Sequence, residues 1–358
     1  MRFLFAWFGL SLLLDSRAPA APAVARSGPF EVSLRLPEEG LYAGEETQIE
    51  FRLTDTRRTD PVAGYAPVIR ARARAIIDMP IMKGMPALEE VVHPEGIAGE
   101  YGLHAAFVHG GPYRLRLLIE PPQAESFQVE FPLEVRDPDP KRKRFPPFRM
   151  ELSGCPDDLT IRFWANRLTA ERRYVESLVR EFDIQHERPL HLIAIRRDQQ
   201  VFLHLHPDLL PEGRFRLRHQ WPAGGEYLLF ADFAPKGRGP QIVASRLKVP
   251  GPTAPPATGS PITIAPGPLP KTGRTGEWTI RFTPPLPTEP YLGAAGHLLI
   301  VSADGDTLIH AHPVENDNRP AGELVFLVRF PRPGPYRAWL EIQSEGQVLT
   351  TPFWVTAP

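Results

Sequence analysis

Thr47-Gln-Ile-Glu-Phe-Arg-Leu53 places an apolar side chain at every second position, and Phe30-Glu-Val-Ser-Leu-Arg-Leu36 does the same. That period suits a strand with one dry face and one wet face, and it does not suit a helix. Tyr113-Arg-Leu-Arg-Leu117 and Phe127-Gln-Val-Glu-Phe131 repeat it further along the chain. Gly, Pro and Asp clusters separate such stretches at short spacing, which predicts β-sandwiches rather than βαβ units. Leu168 to Phe182, rich in Glu and Arg, reads either as a short helix or as an irregular connection between strands.

Composition agrees. The chain has 358 residues and 43 prolines, roughly twice the usual share of about 5%. Proline suits strand ends, turns and linkers, not helices or central strands. The 41 basic and 42 acidic side chains leave a formal charge of −1, so no electrostatic footprint for nucleic acid is present. Cys155 is the single cysteine, which excludes internal disulfides, Cys-x-x-Cys redox chemistry, thiolate zinc sites and iron–sulfur clusters.

Arg2, the apolar run Phe3 to Leu14, and the small-residue patterns Ala18-Pro-Ala20, Ala21-Pro-Ala23 and Ala23-Val-Ala25 read as a signal peptide over residues 1–25. The alternative is an uncleaved N-terminal anchor. No later stretch is long and apolar enough to span a bilayer. The expected location is therefore periplasmic or extracellular, with no transmembrane segment after cleavage.

Two boundaries divide the rest: Arg136-Asp-Pro-Asp-Pro-Lys-Arg-Lys-Arg144 and the Pro-, Ala-, Thr- and Gly-rich 251–273. They predict three tandem immunoglobulin-like modules over 28–136, 145–250 and 274–358, with 251–273 a semi-rigid linker that lets the third module move. The modules also echo one another. His204-Leu-His-Pro207, Gly213-Arg-Phe215 and Trp221 to Tyr227 are matched by His310-Ala-His-Pro313, Gly322-Glu-Leu324 and Phe330 to Tyr336. A thinner version, His93-Pro94, Gly99-Glu-Tyr101 and Phe107 to Tyr113, occupies the first module. Such a repeat means one sandwich corner built three times.

The first module resembles the YtkA/FixH-like family of exported or membrane-tethered bacterial β-sandwich domains. The resemblance rests on Met79-Pro-Ile-Met-Lys-Gly-Met-Pro86 and on the Gly-x-Tyr…Phe-x-x-Gly-Gly-x-Tyr ending. The second and third, with His186-Glu-Arg-Pro-Leu-His191 and Tyr291-Leu-Gly-Ala-Ala-Gly-His297, are similar to domains that accompany it in uncharacterised secreted proteins. The resemblance implies a β-sandwich fold and a link to copper or to metal-enzyme assembly.

The residues that carry chemistry are histidines. In the third module, Asp304-Gly305 suits a two-residue type I′ turn. That register sets His297 opposite His312 and puts His310 on the same face. His191, His204 and His206 repeat the spacing, with Asp198-Gln199 at the turn. Asp232 and Glu341 occupy matching positions in the following strands, where each would serve as a fourth ligand or an orienting group. Three imidazoles and a carboxylate suit Zn²⁺ or Cu²⁺. The plainer reading makes these histidines hydrogen-bonded architecture inherited by duplication. A further candidate set in the first module, Met79, Met82, Met85, His93 and His109, with His104 nearby, suits Cu(I), although methionines also fill cores.

No nucleophile elbow, phosphate loop or paired-carboxylate frame occurs, so no enzyme is expected. The expected function is an exported, non-catalytic binding protein that handles copper or zinc and delivers it to a partner such as a membrane metalloprotein. The alternative is an array of interaction modules without metal.

Overall fold

The computed structural model describes residues 23–59, 66–81, 86–139, 141–142, 147–168, 174–253, 259–314 and 320–358. Residues 1–22, most of the segment read as a signal peptide, lie outside them. Ala23, Val24 and Ala25 pair with Leu34, Ser33 and Val32. A boundary after Ala25 would therefore cut a strand that a boundary after Ala20 leaves whole.

The protein is all-β, built as immunoglobulin-like sandwiches. The first encloses Phe51, Leu103, Leu117 and Phe131 between two five-stranded sheets. The second closes over Phe163, Phe215 and Phe233, and the third over Trp278, Ile280 and Phe326. In one sheet of each, four strands follow the same spatial order. Leu88–Val91, Arg72–Asp78, Gly111–Glu120 and Phe127–Arg136 in the first match Phe202–Leu205, Leu190–Arg196, Gly225–Pro235 and Gln241–Val249 in the second. The third has Leu308–Ala311, His297–Ser302, Gly334–Ser344 and Gln347–Ala357.

The repeated corner is present in all three. The hydroxyls of Tyr113, Tyr227 and Tyr336 donate to the carbonyls of His109, Ala223 and Arg332, each four residues upstream. A buried tyrosine needs such a partner for its hydroxyl, and this bond locks the turn into the strand.

Tyr174–Leu178 is a strand, paired antiparallel with Asp158–Leu168, so the helical reading fails there, while residues 169–173 lie outside the described residues. Pairing to a neighbouring strand overrides a weak local helix propensity. Cys155 is exposed at the end of the strand Phe148–Cys155.

The second and third modules do not stand apart. Ile193, Ile195 and Phe230 of the second form one buried cluster with Leu299, Val301, Leu308 and Trp339 of the third. Phe202 stacks on Trp339 with ring centroids 4.8 Å apart, and the Gln199 amide donates to the Ser302 carbonyl at 3.1 Å. The linker does not leave the third module free, because a dry interface of this kind holds neighbours in one arrangement. Leu190–Arg196 and His297–Ser302 are buried at every residue. Their inner faces meet their own sandwich core and their outer faces meet the sister module.

Candidate metal centre

The hairpin registers bring each histidine triad together. Leu298 pairs with Ala311 and Leu192 with Leu205, which sets His297 opposite His312 and His191 opposite His206. The turns are built differently from the expected type I′ pair. Gly305 has a φ of 78° whereas Asp304 is not in the left-handed region, and the Gly305 N–H donates to the Ser302 carbonyl at 2.8 Å. The loop is longer but symmetric, so the register is unchanged. Gly305 is also tightly placed: a Cβ there would lie 2.4 Å from Leu228 Cδ1 of the second module.

In each triad one nitrogen from every ring converges, all within 4.8 Å of one another. In the third module His297 Nδ1 lies 3.3 Å from His310 Nε2 and 3.0 Å from His312 Nε2. In the second, His191 Nδ1 lies 3.0 Å from His204 Nε2 and 3.2 Å from His206 Nε2. Metal–imidazole bonds of about 2.0–2.1 Å in tetrahedral geometry put ligand nitrogens roughly 3.3 Å apart.

The opposite edges of four rings, His191, His204, His297 and His310, have hydrogen-bond partners. His297 Nε2 donates to the Tyr291 carbonyl at 2.9 Å, and His191 Nε2 donates to the Gln185 carbonyl at 3.0 Å. A carbonyl only accepts, so in the neutral ring Nδ1 is the bare nitrogen. His310 Nδ1 meets Asp232 Oδ2 at 2.9 Å, and His204 Nδ1 meets Glu341 Oε2 at 2.7 Å.

These last two bonds cross between modules. Asp232 belongs to the second module and orients a histidine of the third, while Glu341 belongs to the third and orients a histidine of the second. Each carboxylate is nevertheless paired in its own sheet with its own triad: His191 with Asp232, and His297 with Glu341. The two triads therefore face each other as one centre. His191 and His310 have ring centroids 5.6 Å apart, and His204 lies 5.7 Å from both His297 and His310.

Burial keeps His191, His206, His297, His310 and His312 neutral. It pushes His191 down to about 3, helped by the neighbouring His204, and His206 likewise to about 3. His297, His310 and His312 are held well below the ordinary imidazole range, first by burial and then by one another. Burial pushes the Asp232 carboxyl up, and the surrounding histidines pull it back. In the third module His310 Nε2 and His297 Nδ1 face each other 3.3 Å apart. With His310 Nδ1 donating to Asp232, both facing nitrogens would offer lone pairs to a cation placed between them.

His186 joins this centre although the spacing argument does not reach it. It is one of two left-handed central residues in the tight turn from Gln185 to Arg188, with φ of 44° at His186 and 67° at Glu187. The third module has the same turn from Tyr291 to Ala294, with Leu292 at 49° and Gly293 at 73°. Each turn therefore supplies a carbonyl to its triad and presents one more side chain: a histidine in the second module and a leucine in the third.

The first-module set is distributed otherwise. His93 stacks on His104 with centroids 5.4 Å apart, and its Nδ1 lies 3.1 Å from Glu95 Oε1. Met79 and His109 line a cleft of about 770 Å³ where the three modules meet, and His310 also reaches its wall. Burial lowers the His109 pKa, with Asp232 and Asp137 opposing. Met82 and Met85 lie outside the described residues. Among those residues, His191, His204 and His206, and His297, His310 and His312, are the His, Cys, Asp and Glu groups that converge as ligand sets.

No helix of the described residues is long and apolar enough to cross a membrane. No curated protein matches the chain. Among solved structures, a two-domain fibronectin type III segment of chicken tenascin is 17% identical, with 58% of this chain and 98% of that one covered and a TM-score of 0.20. The FN1-FN3 domains of chicken CNTN1 are 10% identical, with 90% and 97% covered and a TM-score of 0.18. One family matches, and it does so twice, over residues 165–249 and 257–358. Those spans contain every residue of the two triads and both carboxylates, and they leave the YtkA/FixH-like resemblance of the first module outside. The chain belongs to the family described as a domain of unknown function, DUF8832.

Proposed function

We propose that this protein is an exported, non-catalytic binder of transition-metal ions, taking Zn²⁺ or Cu²⁺ at the junction of its second and third modules. The observation that carries the reading is the convergence of three imidazole nitrogens in each triad, with the far edges of His191, His204, His297 and His310 held by carbonyl or carboxylate partners. Outward protons, buried neutral rings and carboxylate-oriented ligands are what a histidine metal site requires. Neither triad contains a thiolate or thioether, so the donor set favours Zn²⁺ and Cu²⁺ over Cu(I).

The interface gives the binding a consequence. Because each module orients a ligand of the other, metal binding is linked to the docked arrangement, and bound ions stabilise it by mass action. The apolar cluster beside the triads keeps water out and strengthens the charge interactions within. The resemblance of the first module to YtkA/FixH-like domains fits a role in supplying metal to a membrane metalloprotein.

The test is metal content. The chain, without a histidine tag, is dialysed against low Cu²⁺ or Zn²⁺ and analysed for bound metal. Wild type should retain about two ions per chain, one for each three-histidine set. The variant His204→Ala/His206→Ala/His310→Ala/His312→Ala should retain none while keeping its β-sheet circular dichroism. Equal metal in both proteins, or none in either, would overturn the reading.

A further inference from the structure

The two triads repeat one another in every ligand, yet their surroundings differ at one position. Resting on the metal-binding reading above, we infer that His186 supplies a fourth nitrogen to the third-module triad. That site is then closed, while the second-module site keeps an open position for an exchangeable ligand.

The His186 ring lies over the third-module triad, although its residue belongs to the second module. Its centroid is 3.7 Å from His312 and 6.4 Å from both His297 and His310. From the second-module triad, His191 approaches it at 6.3 Å. Within the third-module triad the rings are 4.6–5.6 Å apart, the spacing of imidazoles converging on one point. His186 is thus too near one ring and slightly too far from two. Moved off His312 toward the other two rings, it would add a fourth nitrogen to a tetrahedral ion. The ring is half-buried there, and a neutral imidazole has one nitrogen lone pair for a metal.

The sister turn cannot do this. At the matching position Leu292 has the same left-handed backbone and is buried, but its side chain has no donor atom. Four protein nitrogens make a closed site of the structural type, and three leave a position for water or an incoming ligand. The chemistry therefore separates a retained ion from an exchangeable one. The exchangeable ion is the one suited to hand-over to a small anion or to a partner's ligand.

The experiment loads the full chain with Co²⁺ and follows release to excess EDTA by stopped flow, with the visible d–d spectrum recorded before mixing. Wild type should release its ions in two phases, the slow one at least about tenfold slower, as expected for one added ligand. Removing the second-module site with His204→Ala should leave the slow ion, and removing the third-module site with His310→Ala should leave the fast one. His186→Leu copies the sister turn and should merge the phases at the fast rate with two ions still bound. Leu292→His should slow the fast phase and shift its spectrum toward four nitrogen donors, which keeps the test alive should His186→Leu fold poorly. Release of both ions at one rate from wild type, or two unchanged phases in His186→Leu, would overturn the inference and leave the metal-binding reading standing. Failure of wild type to bind Co²⁺ would overturn both.

Discussion

The strand Arg72–Asp78 of the first module and the strand His297–Ser302 of the third hold the same place in equivalent sheets, next to the tyrosine-corner strand. The first alternates between exposed and buried residues, with Arg72 and Arg74 in solvent. Its outer face continues into Asp78, which pairs with Arg114 and Arg116 at 3.1 and 2.7 Å. The third-module strand has no exposed residue. One scaffold thus carries a polar outer face in one copy and a dry, histidine-edged face in the other two. The tyrosine corner sets the sandwich, while the outer face decides whether a sandwich faces water or docks on its sister and builds a centre there.

The largest effect that sharpens this contrast is expected at Trp339, buried in the docked face against Phe202. Trp339→Ala should cost about 3–5 kcal/mol in denaturant unfolding of the second and third modules. Trp354, 53% exposed on the same module, should cost less than about 1 kcal/mol when truncated. Equal costs would mean that the docked face contributes little.

Next come the exchanged carboxylates. Glu341→Ala is expected to weaken the second-module site by about 10–100-fold although it removes a third-module residue, and Asp232→Ala should do the converse. Loss confined to the mutated module's own triad, read by metal titration, would break the cross-module account.

Acid should weaken the paired modules more than the first. Folding holds His191, His206, His297, His310 and His312 below the ordinary 6.5, to about 3 for His191 and His206. Between those limits the unfolded chain binds more protons than the folded one. Stability of the metal-free protein is therefore present at neutral pH and falls as pH drops from about 6.5 toward 3, by about 1.4 kcal/mol per pH unit for each ring held neutral. Thermal melts from pH 7 to pH 5 read this slope. A flat profile would mean that the rings accept protons in the folded state. The smallest effect is expected at His93, half exposed beside His104. His93→Ala should leave metal content unchanged and shift stability by no more than about 0.5 kcal/mol.

The fold and the triads were legible because period-two patterning and hairpin register are local. Those rules bring His297, His310 and His312 together even though the turn at Gly305 differs from the type expected. The exchange of Asp232 and Glu341 was not legible, since it depends on how two modules dock across a hundred residues of chain. A signal was nonetheless present: Leu190-His-Leu-Ile-Ala-Ile-Arg196 and His297-Leu-Leu-Ile-Val-Ser302 run apolar without alternation, the mark of a strand covered on both faces. Such runs argue for a partner sheet and against a freely moving third module. His186 escaped for another reason. Its placement depends on a left-handed turn residue that is neither glycine nor asparagine, which sequence rules do not favour.

The central claim is that the second and third modules together hold two ions, one in each triad. Crystals of the full chain grown with Zn²⁺, measured on both sides of the zinc absorption edge, test it most directly. The account predicts one anomalous peak among His191, His204 and His206 and a second among His297, His310 and His312. Anomalous density absent from both triads, or present only at other residues, would contradict it.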